Sequence, residues 1–144
     1  MKKTLPITML LLLVSGALAC KSYTKALEDS VAAADETAAL SAVRTIGVAE
    51  QTYFTSNNGT YGTFDQLVNA GYLDSRFNSE KPKIKGYEIS LVISGKSEVD
   101  SSYTVNADPQ PPLRGRHFFT DSATSLIRVN PSQSAGPSDP PLNQ

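Results

Sequence analysis

Three residues in this chain could do chemistry because of their type or position. Cys20 is the only cysteine among 144 residues, and it stands where the apolar run TMLLLLVSGALA meets polar sequence. A thiol there could carry a covalent lipid, react, or ligate a metal. His117 is the only histidine, with Asp121 four residues on. In a strand that spacing keeps both on one face but about 13 Å apart, too far for a tight pair or a shared metal. No serine stands in a nucleophile elbow. His117 therefore reads as a sheet-face residue. Glu50 falls, at 100° per residue, among Val43, Ile46 and Tyr53 on an apolar helix face. A carboxylate there must bond to loop backbone or to an arginine such as Arg128, or rise in pKa. The acidic residues lack calcium-loop spacing, and the aromatics from Tyr53 to Phe119 recur at core-like intervals. No catalytic, cofactor-binding or metal-ligating residue is assigned, and the expectation is a protein that is not an enzyme.

The elements around Cys20 bear on its role. Lys2 and Lys3 precede an apolar stretch, residues 5–14, and then small residues at 15–19. This is the layout of an export signal, too short for a membrane span of about 20 residues. Ala17-Leu18-Ala19 suits ordinary signal peptidase. Leu18-Ala19-Cys20 also resembles a bacterial lipobox, with Leu18 one place later than usual. That resemblance implies a diacylglycerol on Cys20, which becomes the new N-terminus. An unpaired thiol in an oxidising compartment is otherwise a liability. Removing residues 1–19 leaves 125, with 11 basic and 14 acidic side chains. That mild acidity gives no electrostatic reason to bind nucleic acid.

Residues 21–57 read as one long helix. Leu27, Val31, Ala34, Ala38, Ala42, Ile46, Ala49 and Tyr53 share a face. Its first half is mostly alanine and should project or pack weakly; its second half should sit on a core. Asn57-Asn58-Gly59 stops it. Thr63 and Gln66 form a capping box for a short helix that ends near Gly71. The charged run 81–85 reads as a loop. Period-two patterning then marks strands in YEISLVIS, YTVNA, RHFFTD and SLIRV, with the proline-rich DPQPPLRG between the second and third. The proline- and serine-rich residues 131–144 read as a disordered tail.

In order, AALSAVRTIGVAEQTYF, NNGTYGTFDQLVNAGYLD, KGYEISL, YTVNADP and RGRHFFTDSATSLIRVN resemble the globular part of type IV pilin-like and major-pseudopilin-like proteins, over residues 38–130. The resemblance implies non-catalytic filament subunits in which an N-terminal helix packs on an antiparallel sheet. The chain departs from that pattern at its start. It lacks a prepilin-peptidase site and the apolar helix that follows one, and carries Lys25, Glu28, Asp29, Asp35 and Glu36 instead. Buried in a filament core, each unpaired charge would cost several kcal/mol.

The expected architecture is α+β: a long N-terminal helix packed on an antiparallel sheet of about four strands. Residues 1–19 are the signal peptide, 20–37 a lipid-anchored helical stem, and 38–130 the pilin-like domain. The expected function is that of a non-enzymatic cell-envelope lipoprotein accessory to a type IV pilus or type II secretion-like system. Its partners are the membrane, through Cys20, and other envelope, pilus or secretion proteins. Lys21 after the cysteine, rather than aspartate, points to the outer membrane. A minor pilin or pseudopilin filament subunit and a released periplasmic binding module are the alternatives.

Overall fold

The structure is a computed structural model that describes the backbone of residues 7–95 and 99–143 and side chains from residue 25 onward. Helix α1 spans Ile7–Ser56. It ends as the asparagines and glycine require: Asn58 and Gly59 adopt φ of 52° and 72°, and Gly59 N–H reaches back to Phe54 O. Helix α2, Phe64–Asn69, begins with the expected capping box, Thr63 and Gln66 each bonding the other's backbone. It ends in a Schellman motif, with Gly71 N–H on Val68 O, Tyr72 N–H on Leu67 O, and Gly71 at φ 78°.

Five strands follow: β1 (Lys83–Ile84), β2 (Tyr87–Ser94), β3 (Ser102–Pro109), β4 (His117–Asp121) and β5 (Arg128–Asn130). They form an antiparallel meander in sequence order. The count is therefore five strands, not four. The additional one lies in the charged run expected to be a loop. Lys85 and Gly86, at φ 49° and 79°, supply the two left-handed residues of a two-residue hairpin turn, which folds Ile84 onto Tyr87.

Alternation along the strands gives the sheet two distinct faces. Tyr87, Ile89, Tyr103, Val105, Ala107 and Phe118 are buried on the front with Ala39, Ala42, Val43, Ile46 and Ala49 of α1. Phe64, Leu67, Leu73 and Phe77 close that core from the side. The first half of α1 departs from it, since Leu27 and Val31 are 55% and 53% exposed. Where the helix leaves the sheet, Glu36 accepts from the backbone N–H and guanidinium of Arg116. Gly115 beside it approaches Tyr87 so closely that a Cβ would strike the tyrosine hydroxyl.

The tail differs from the disordered segment expected of its composition. Residues 140–142 run antiparallel to β5, with Val129 N–H on Pro140 O (3.1 Å) and Leu142 N–H on Ile127 O (2.7 Å). Ala135 is buried, and Asn106 donates to its carbonyl at 2.7 Å. Proline lowers what the chain loses on ordering, so few buried groups suffice to hold the segment.

Candidate functional site

Backbone at position 20 lies within α1, but the Cys20 side chain falls outside the described residues, and with it the lipid-attachment expectation. Among the described residues no helix is long and apolar enough to cross a membrane.

Glu50 sits where helix periodicity puts it. It is fully buried near the C-terminal end of α1. Of the two partners the sequence allowed, the loop backbone is the one used: Gly62 N–H donates to Oε2 at 2.9 Å. Gly62 is suited to the approach, because a Cβ there would lie 3.0 Å from the Tyr53 ring. Oε1 has no partner. Burial pushes the carboxyl up to about 7 from 4.5, against the smaller opposing effect of the Gly62 bond. Phe54 and Tyr61 nearby meet as tilted rings with centroids 4.6 Å apart, and Tyr61 and Tyr103 meet edge to face at 4.8 Å. Burial, and after it the charge of Glu50, raises both tyrosines, Tyr103 to about 12. Enclosed in this way, Glu50 fastens the loop to the helix.

On the back of the sheet His117 does have an acidic partner, though not Asp121. Its Nδ1 lies 2.6 Å from Asp108 Oδ1, across the β3–β4 ladder. The other oxygen, Oδ2, accepts from Ser134 Oγ at 3.0 Å. Sequence reasoning missed Asp108 and Ser134. The pairing depends on strand register across the 110–116 connection, and no local spacing encodes it. The three residue types invite comparison with a hydrolytic triad, but their order excludes that chemistry. A nucleophilic serine needs the imidazole beside it to take its proton, whereas here the carboxylate stands between Ser134 and His117. Arg128, the other proposed partner of Glu50, instead donates from Nη1 to Asp139 O at 2.8 Å. Asp139 Oδ1 accepts from Asn130 and Oδ2 from Gly136 N–H. The set works as a polar clasp holding the tail against the sheet.

A groove of about 910 Å³ lies where α1 leaves the sheet. Leu27, Val31 and Asp35 form its helix wall, and Lys83, Pro112 and Arg114 stand opposite. No metal-binding group of three or more His, Cys, Asp or Glu side chains occurs among the described residues.

No protein-family model matches the chain, and neither a curated protein nor a solved structure is detectably similar to it.

Proposed function

We propose that the protein is a non-enzymatic lipoprotein of the bacterial cell envelope, held to a membrane through Cys20 and presenting a pilin-like α+β domain on a helical stem. The observation that carries this reading is the division of α1. From about Glu36 onward the helix is packed and bonded to the sheet, while Leu27 to Val31 stand exposed among Lys25, Glu28 and Asp29. A helix that leaves its domain toward the cysteine, polar where a filament core would need apolar residues, suits a spacer better than a filament strand. One acyl chain binds a membrane only marginally, and two or more hold stably. A cysteine carrying a diacylglycerol meets that requirement. The domain's role is then contact with other envelope proteins, in a pilus or a type II secretion-like system, on the outer-membrane side if Lys21 directs sorting.

Mass spectrometry of the mature N-terminus tests the anchor directly. The expected species begins at Cys20 and carries the mass of its acyl groups, and Cys20→Ala moves the protein out of the membrane fraction. An unmodified Cys20, or unchanged fractionation of the variant, overturns the reading. Co-purification with sheared pili would favour the filament subunit instead.

A further inference from the structure

The two outer edges of the sheet are finished differently. Beside β5 lie Pro140, Pro141 and Leu142, paired in register with Val129, Arg128 and Ile127. The prolines have no N–H to offer a further strand, so that edge is blunted. At the other edge, pairing stops at Ile89, whose N–H donates to Pro82 O. From Ser90 to Ser94 the outer side of β2 has no strand against it among the described residues. That stretch reads Ser-Leu-Val-Ile-Ser, without charge or proline, and Val92 is 55% exposed. Edges are normally protected by one of those devices.

The main-chain directions on this edge follow from its neighbours. Gly86 O accepts from Gln110 N–H on the β3 side, and Ile89 N–H points to the β1 side. Alternation then turns the N–H and C=O of Leu91 and Ile93 outward.

We propose that this edge is a self-association surface on which two copies pair their β2 strands antiparallel about a two-fold axis at Val92. In that register Leu91 faces Ile93 of the second copy, and both have outward groups, so the two symmetric pairs close four hydrogen bonds. Val92 meets Val92, and Ser90 meets Ser94. A slip by one residue sets outward groups against inward ones and loses the bonds. The blunted β5 edge prevents head-to-tail addition of β2 onto β5, so assembly closes at two copies. The axis stands perpendicular to the joined sheet, so the two α1 helices share a face and run in opposite directions. Copies held on parallel stems in one leaflet cannot meet this way; copies on facing membranes or free in solution can. The edge itself is the same whether or not Cys20 is lipidated; lipidation decides only which copies can reach one another. A five-residue seam buries less than the roughly 1,000 Å² of a stable interface, so the pair is transient.

Cysteine crosslinking of the full chain carrying Cys20→Ser tests the register. Residues facing each other in a non-hydrogen-bonded pair have Cα atoms about 4.5 Å apart, within disulfide reach. Val92→Cys is expected to oxidise to a dimer at least about tenfold faster than Ser94→Cys, which faces Ser90, or Val48→Cys, 68% exposed on α1. In sedimentation, the chain without added cysteines should show a concentration-dependent dimer, which Val92→Lys weakens by at least about tenfold through like charges set opposite each other. Equal oxidation of Val92→Cys and Val48→Cys overturns the proposal. So does a monomer up to about 1 mM, or crosslinking in cells to a different protein. The crosslinking result stands even if Val92→Lys fails to fold.

Discussion

Phe118 and Phe119 are neighbours in β4 and point to opposite faces of the sheet. Phe118 is fully buried on the front, near Tyr87 and under α1. Phe119 is also buried, but on the back, in register with Asn106 and Arg128, whose side chains hold the tail. The front is apolar apart from Glu50, whose second oxygen has no partner among the described residues, and a few hydroxyls. On the back, Asp108, His117, Ser134, Asn130 and Asp139 bond to one another or to backbone. One face is held by area removed from water, worth about 25 cal/mol per Å². The other is held by hydrogen bonds with a net value of about 1 kcal/mol each. Loss of one residue should therefore be felt globally on the front and locally on the back.

The largest expected effect tests that difference directly. Phe118→Ala should cost about 3–5 kcal/mol in denaturant unfolding, since the cavity lies in a core that cannot collapse around it. Phe119→Ala should cost about 2 kcal/mol, because its cover is a tail that can lift or resettle. Hydrogen exchange should then show faster exchange at Val129 and Leu142 in Phe119→Ala alone. Equal costs for the two variants would mean that the tail packs as firmly as the helix.

Glu50 sharpens the comparison through pH. Its folded pKa of about 7 lies above the ordinary 4.5. The folded state therefore holds a proton that the unfolded chain has lost between those values. The stability this represents is complete below pH 4.5, falls by about 1.4 kcal/mol per pH unit as pH rises to about 7, and levels off above it. The total is about 3 kcal/mol. Glu50→Gln can keep the Gly62 bond and cannot ionise. It should match the parent near pH 4.5 and exceed it by about 3 kcal/mol at pH 8. A parallel pH profile for both proteins would show that Glu50 is ionised when buried and that the orphan oxygen has found a partner.

Asp139→Ala is the corresponding change on the back. It removes acceptors for Asn130 and Gly136 N–H, a loss of about 1–2 kcal/mol. The expected signature is local: amide exchange rises at Val129 and Leu142 while the global unfolding midpoint moves little. A cooperative loss of the whole fold would make the clasp part of the core.

The front was far more legible in the sequence than the back. Val43, Ile46, Ala49 and Glu50 declare their burial through helical period, and Tyr87, Ile89 and Val105 through alternation. The capping box of α2 is local chemistry and needs no tertiary knowledge. β1 has only two residues, too few for any period to register. The tail was hidden by composition, since proline and serine suggest disorder when no contact is known. One indication was present: two consecutive phenylalanines in a strand place an apolar ring on each face, so Phe119 required a cover of its own. The His117–Asp108 pair rests on long-range register, which the connection between β3 and β4 leaves open.

The smallest effect belongs to Ser134, and it separates a clasp from a catalyst. Ser134 Oγ donates to Asp108 Oδ2 and accepts from Asn106 at 3.2 Å, on an exposed segment. Ser134→Ala should therefore cost no more than about 1 kcal/mol. Asp108→Ala should cost more, because it releases both His117 and Ser134. In a hydrolase the serine would be the reactive member and would take up a fluorophosphonate probe; here the Asp108 carboxylate lies between serine and imidazole. The chain should stay unlabelled, and His117→Ala should not change that. Labelling at Ser134 that disappears in His117→Ala would require a rearranged site in which the imidazole reaches the hydroxyl, and the back of the sheet would then be an active surface instead of a fastening.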